Sequence, residues 1–246
     1  MDLNKVLALT GLFHQGSLSH LLSGTCELCL ESADLSGFLC TPCRTALAAS
    51  EHACSQCAEP LAHPGRCARC QQQPPAFDYA YSSYLYQPPL SDWLLHAKDQ
   101  GQLQWLKRLA WLMQHRPVTT LDAVDGLVPV PSSARRLLYR GFNPAQLLAA
   151  SLARHWHLPL HSKAIMKHSS EDQRKLSATQ RRRNQNHSFS AGQQLFRGEH
   201  LLIIDDVITT GATANAVARL LKQQGAGIVG VWSMCRTPAK STQHTS

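Results

Sequence analysis

Two adjacent carboxylates, Asp205 and Asp206, follow four apolar residues, Leu201–Ile204, and precede the run Thr209-Thr210-Gly211-Ala212-Thr213. Carboxylate oxygens accept hydrogen bonds from vicinal hydroxyls such as those of a ribose. A short Thr/Gly loop that opens a helix can wrap an anion with backbone N–H groups, and the helix N-terminus adds partial positive charge. The order of buried strand, acidic pair, loop and helix therefore suits a sugar phosphate. Adjacent carboxylates also repel, and hydroxyl or metal partners relieve that repulsion. The lysine that follows the last glycine of a P-loop is absent, and so is the Gly-x-Gly-x-x-Gly dinucleotide fingerprint.

A second constellation lies near the N-terminus. Eight of the nine cysteines form Cys-x-x-Cys pairs: Cys26/Cys29, Cys40/Cys43, Cys54/Cys57 and Cys67/Cys70. Each pair places two thiolates on one side of a tight knuckle, and two knuckles complete a tetrahedral four-sulfur site. Zn²⁺ suits four thiolates and needs no redox change. Eight ligands make two structural sites, paired either consecutively or in a cross-braced order. A disulfide framework is disfavoured because no secretion signal accompanies the pairs. Four protein ligands leave no open coordination position, so the role is structural or docking. The module is too small and polar to fold by burial alone, and metal binding supplies much of its folding free energy. The ninth thiol, Cys235, reads as a small buried hydrophobe in a late strand.

These residues need elements to position them. The chain has 246 residues, 43% of them hydrophobic, enough for one α/β domain and a small module. Residues 1–23 read as an amphipathic helix or leader, 24–74 as a double zinc ribbon, and 75–246 as the α/β domain. No apolar run reaches the ~18 residues that a membrane span needs. The net charge of +8 favours polyanionic partners, phosphates or nucleic acid. The 13 histidines are scattered without metal-ligand spacing and receive no role.

Phe77, Tyr79, Tyr81, Tyr84 and Tyr86 read as strand with a break at Ser82-Ser83. Such rings stack bases or, more commonly, fill a core. Asp92 to about His115 reads as helix, with Gly101 a possible interruption, and a lysine such as Lys98 on such a helix is ordinarily solvated. Leu127–Val130 reads as a short strand and Pro131–Arg136 as a polar turn. Asn143 and Pro144 have the residue types of an N-cap and a first helical position, with Leu147, Leu148, Ser151, Leu152 and His155 on one face of that helix. Residues 167–185 are polar and basic and read as a mobile flap. A helix over about 213–224, ended by Gly225, and a strand over 228–234 complete an alternating pattern that predicts a mostly parallel sheet with flanking helices.

Asp205–Thr213 resembles the phosphoribosyl diphosphate (PRPP) motif of type I phosphoribosyltransferases. The wider chain resembles the ComF/GntX group, named for competence and DNA-use proteins. The residues that carry this are Val130-Pro131, Arg135-Arg136, Arg140-Gly141-Phe142-Asn143, Gln173…Leu176…Arg183-Asn184, Lys98, the closing Val231-Trp232…Cys235-Arg236-Thr237 and the four knuckles. The resemblance implies that Asp205 and Asp206 bind the ribose hydroxyls and that Thr209, Thr210, Gly211, Ala212 and Thr213 hold the 5′-phosphate. It places Ser132, Ser133, Arg135, Arg136 and Arg140 on the pyrophosphate side, and Gln173, Lys175, Arg181, Arg183 and Asn184 on a flexible loop. Lys98 is a further candidate, and Mg²⁺ accompanies the diphosphate.

The implied chemistry is displacement of pyrophosphate at C1′ by a nitrogen nucleophile, with no residue marked as a required general base. The implied setting is cytoplasmic DNA uptake, natural competence or DNA utilisation. Two further readings stay open. One is a purine- or pyrimidine-type phosphoribosyltransferase of nucleotide salvage. The other is a non-catalytic accessory protein that binds single-stranded DNA, a competence helicase or another DNA-processing protein.

Overall fold

The computed structural model describes residues 24–34, 37–167 and 189–239. The chain forms two compact units, Met1–Leu47 and Ala48–Ser246. In the first, a knuckle closed by a Thr25–Ser32 bridge precedes α1 (Thr41–Thr45). Asp34 fixes the start of that helix by accepting from the Thr41 N–H at 2.9 Å and the Thr41 hydroxyl at 3.0 Å.

The second unit opens with a matching knuckle, closed by an Ala53–Pro60 bridge, and α2 (Ala68–Gln72). Then come β1 (Tyr79–Leu85), α3 (Leu90–Asp99), α4 (Leu103–Gln114), β2 (Gly126–Pro129), α5 (Ala134–Arg140) and α6 (Pro144–Trp156). A short antiparallel pair, β3 (Ile165–Lys167) with β4 (Phe189–Ala191), precedes β5 (His200–Ile208), α7 (Ala212–Gln223) and β6 (Ile228–Arg236). The main sheet has the order β1-β6-β5-β2, and all its pairings are parallel. Such strands bury both faces. Leu201, Leu202, Ile203 and Ile204 of β5 and Val229, Val231, Trp232 and Met234 of β6 are accordingly shielded from solvent. The mostly parallel sheet with flanking helices, preceded by two cysteine knuckle units, thus matches the expected architecture.

Several local expectations change. The aromatic strand is continuous, because Ser82 and Ser83 enter the sheet with their hydroxyls satisfied. Ser83 Oγ accepts from Trp232 Nε1 at 2.9 Å, and Ser233 Oγ donates to Ser82 Oγ at 3.0 Å. The long helix is two helices, α3 and α4, broken at Gly101, whose φ of 66° is left-handed. The polar turn after β2 is a helix from Ala134 onward, because the Ser133 hydroxyl caps it by accepting from the Arg136 N–H at 3.4 Å.

Asn143 precedes α6 but makes no side-chain cap. Its amide instead donates to the Val130 carbonyl at 2.9 Å, while its Oδ1 accepts from Ser132 Oγ at 3.0 Å. The face that α6 buries is Pro144, Ala145, Leu148, Ala149, Leu152 and Ala153, with Leu147 left exposed. β5 and β6 run longer than their apolar cores, to Ile208 and Arg236. Cys235 is fully buried, and burial pushes its thiol up to about 12. Residues 1–23 and most of the basic stretch fall outside the described residues.

Candidate functional site

Asp205 and Asp206 lie within β5, Asp205 paired with Ser233 of β6. Near the end of the strand the two carboxyl groups stay close enough to interact through their side chains. Each accepts a local backbone N–H: Asp205 Oδ1 from Asp206 at 2.9 Å, and Asp206 Oδ1 from Val207 at 2.8 Å. The other oxygen of Asp206 lies 2.6 Å from Lys98 Nζ, with 17% of each side chain exposed. Lys98 is therefore an ion-pair partner of the acidic residues rather than a solvated surface lysine.

Burial, followed by the neighbouring Asp206 charge, holds the Asp205 carboxyl well above the usual carboxylate range; the Asp206 N–H and Lys98 act in the opposite direction. The pair thus offers one charge-balanced carboxylate and one that resists ionisation. Both are suited to hydrogen bonds with hydroxyls.

The chain then turns into α7. Gly211 has φ 77°, a left-handed conformation that a side chain rarely adopts, and it forms the N-cap of a twelve-residue helix. Thr210 Oγ1 accepts from the Ala212 N–H at 3.3 Å. Thr209, Thr210 and Ala212 are exposed, with Gly211 and Thr213 partly so, and Ala212 and Thr213 already belong to the first helical turn.

Beyond β2, Ser132 is tied to Asn143 as described, and Ser133 caps α5. Arg135 and Arg136 are exposed in the first turn of that helix. Arg140, at its other end, forms an ion pair with Asp99 at 3.0 Å, next to Lys98. Lys167, which the sequence marks only as the start of the basic stretch, sits 4.8 Å above the Phe189 ring. Burial first, then the Arg136 guanidinium, lower its ammonium below the usual range, while Asp205 acts the other way. Arg136, Lys167 and Asp205 therefore share one electrostatic neighbourhood. Gln173, Lys175, Arg181, Arg183 and Asn184 lie outside the described residues.

The cysteines gather as Cys26, Cys29, Cys40 and Cys43, and as Cys54, Cys57, Cys67 and Cys70. This is the consecutive pairing, not the cross-braced one. Sulfurs around a tetrahedral zinc with ~2.3 Å bonds stand about 3.8 Å apart. The Cys29–Cys40 and Cys57–Cys67 sulfurs are 3.6 and 3.7 Å apart, well beyond a disulfide and right for zinc. The Cys67 N–H also donates to the Cys54 sulfur at 3.3 Å. Burial opposes ionisation of Cys54, but backbone N–H groups of Cys67, Gln56 and Cys57 outweigh it and bring the thiol down to about 7. The two four-cysteine groups are structural zinc sites.

The second ribbon abuts the Thr209–Gly211 loop. A cavity of about 310 Å³ is shared by Cys57, Arg69, Phe77, Thr210, Gly211 and Arg219, among others. Another, of about 460 Å³, is shared by Glu59, Leu61, Arg69, Thr209, Thr210 and Arg236, among others. Neither is lined by the acidic pair. Between ribbon and loop stands Arg236, 1% exposed. It donates to the carbonyls of Cys57 at 3.3 Å, Ile208 at 3.0 Å and Thr237 at 2.7 Å, to that of Thr209, and to the Glu59 carboxylate. The sequence offers no signal for this role, because an arginine in a strand looks the same whether it is solvated or sealed in.

Two family models match: a phosphoribosyl transferase domain over residues 137–245 and a double zinc ribbon domain over 17–71. The chain is 34% identical to the DNA utilization protein YhgH of Escherichia coli K12 over 222 residues, which cover 87% of this chain and 97% of that protein. It is 31% identical to competence protein F of Haemophilus influenzae, covering 80% of this chain and 90% of that one. A solved glutamine phosphoribosylpyrophosphate amidotransferase of B. subtilis aligns at 19% identity over 52% of this chain and 26% of that one, with a TM-score of 0.40. The extent of the match to YhgH and competence protein F, with a zinc ribbon pair ahead of a phosphoribosyltransferase domain in one chain, means that the protein belongs to the ComF/GntX family.

Proposed function

We propose that the protein binds phosphoribosyl diphosphate, or a nucleotide sharing its ribose 5-phosphate, in the service of DNA uptake or utilisation. The single observation that carries this is the placement of Asp205 and Asp206 near the C-terminal end of β5, ahead of the Thr209–Thr210 turn and a left-handed Gly211 that opens α7. Ribose hydroxyls would bond the two carboxylates, and the 5′-phosphate would lie against the Thr209–Thr213 amides and hydroxyls. Ser132, Ser133, Arg135, Arg136 and Lys167 would face the diphosphate. Mg²⁺ enters this reading as part of the ligand, carried on the diphosphate oxygens. Lys98 already neutralises Asp206, which makes the acidic pair a better host for hydroxyls than for a second cation.

If transfer occurs at this site, it replaces pyrophosphate at C1′ by a nitrogen nucleophile, with cationic side chains drawing charge off the leaving diphosphate. The DNA-related names of the relatives and the net charge of +8 favour single-stranded DNA as the macromolecular partner and a cytoplasmic setting.

Titration calorimetry with PRPP and Mg²⁺ tests the reading. Binding by the intact protein is expected, with loss of at least about tenfold in affinity for Asp206→Asn. Absence of any heat with the intact protein overturns it.

A further inference from the structure

We infer that Arg236 is the positioning residue through which the zinc-bound second ribbon orients the 5′-phosphate loop, so that anion affinity at the loop depends on metal in that ribbon. The inference rests on the reading above for its ligand, but its geometry stands independently.

The Arg236 guanidinium is sealed from solvent and holds two groups of acceptors at once. On the loop side are the carbonyls of Ile208 and Thr209. A trans peptide points its C=O and N–H in opposite directions. Drawing those two carbonyls inward therefore turns the N–H groups of Thr209 and Thr210 away from the arginine, as an anion-binding loop requires. On the ribbon side are the carbonyl of Cys57, itself a zinc ligand, and the carboxylate of Glu59, two residues further on.

Glu59 is fixed in turn by the knuckle. Its carbonyl accepts from the Cys54 N–H at 2.7 Å, and the intervening Ala58 has φ 56°. Its second carboxylate oxygen accepts from the Ala239 N–H at 2.7 Å. Metal holds Cys54 and Cys57 together and with them the bend that presents Glu59. Without metal the four sulfurs lose the bonds that would join the two knuckles, and the bend rests only on the packing of Cys54, Cys57 and Ala58 against the main core. A buried guanidinium left without its carboxylate is strongly unfavourable and moves toward water, releasing the two loop carbonyls.

Arg236→Lys keeps the charge beside Glu59, but one ammonium cannot span the carbonyls of Cys57, Ile208 and Thr209. A residue serving merely to neutralise Glu59 would be rescued by lysine; a positioning residue would not. Two readouts are taken on wild type, Arg236→Lys and the milder Glu59→Gln: ribose 5-phosphate affinity by calorimetry, and amide hydrogen exchange over residues 209–213, with zinc counted per chain. We expect Arg236→Lys to retain two zinc ions, to bind ribose 5-phosphate at least about tenfold more weakly, and to exchange the loop amides faster. Chelation of zinc from the wild type should reproduce the faster exchange.

Unchanged affinity and unchanged loop exchange in both variants would overturn the inference. If the wild type binds no ribose 5-phosphate, the ligand reading falls, and loop exchange in the variants and after chelation still decides for or against the clamp. If Arg236→Lys does not fold, Glu59→Gln is decided by the same two readouts.

Discussion

Lys98 Nζ stands 2.6 Å from Asp206 Oδ2, joining the last turn of α3 to the C-terminal half of β5. The contact lets two neighbouring carboxylates share a partly buried site: Asp206 is balanced by an ammonium, while burial and the Asp206 charge raise the Asp205 carboxyl. Removing the lysine leaves Asp206 uncompensated and pushes Asp205 still higher, since Lys98 is one of the groups that lower it. Lys98→Met should therefore destabilise the fold by about 1–3 kcal/mol, less than for a fully buried pair because both side chains keep some solvent contact. Urea unfolding at neutral pH measures this.

The raised Asp205 carboxyl has a definite signature in stability against pH. A group whose folded pKa lies above its unfolded value contributes stability that is fully present below the unfolded value, about 3.9 for aspartate, and is lost as pH rises through the folded value. In the wild type this contribution should fall from about pH 4 upward. Asp205→Asn should abolish that slope and be more stable than the wild type at neutral pH, while binding PRPP less tightly. Denaturant melts of both proteins across pH 4–7, beside calorimetry, check the opposed effects.

Two zinc ions per chain are expected, one in each four-cysteine group. Cys70→Ala should leave close to one, because three thiolates hold zinc far more weakly than four. Metal analysis of the purified wild type and variant reads this directly. Chelation should also lower the thermal midpoint, since ligation supplies folding free energy.

Trp232 is fully buried and has its indole N–H satisfied by Ser83 Oγ at 2.9 Å. Ser83 is itself buried and also donates to the Arg116 carbonyl at 3.3 Å. Ser83→Ala strands both partners and should cost about 1–3 kcal/mol. Ser83→Thr keeps the hydroxyl and should recover part of that loss. Thermal or urea unfolding of the two variants gives the comparison.

Much of the candidate site's placement was legible from local pattern. Asp205, Asp206 and the Thr209–Thr213 run are contiguous, and the structure puts them on the expected strand, loop and helix start. The eight cysteines were equally legible, since Cys-x-x-Cys spacing alone imposes a knuckle. What spacing left open was which knuckles pair, because both orders satisfy four thiolates; three-dimensional placement chose the consecutive one.

Other features depend on which long-range partner a polar group finds. Lys98, Arg140 and Arg236 look alike in the sequence: cationic side chains on or beside amphipathic elements. The fold gives them different fates, an ion pair with Asp206, an ion pair with Asp99, and a sealed guanidinium between a cysteine knuckle and the Thr209–Gly211 turn. The Ser82-Ser83 break failed for the same reason. Hydroxyls disfavour a buried strand only until a neighbouring strand offers them partners, here Trp232 and Ser233 of β6. By itself the sequence determined what is written in contiguous residues: the acidic pair, the Thr/Gly turn into a helix, the thiolate knuckles and the alternation that builds a parallel sheet. Only the tertiary structure decided which charges meet, because ion pairing and desolvation depend on distance and burial between elements that the chain's linear order does not specify.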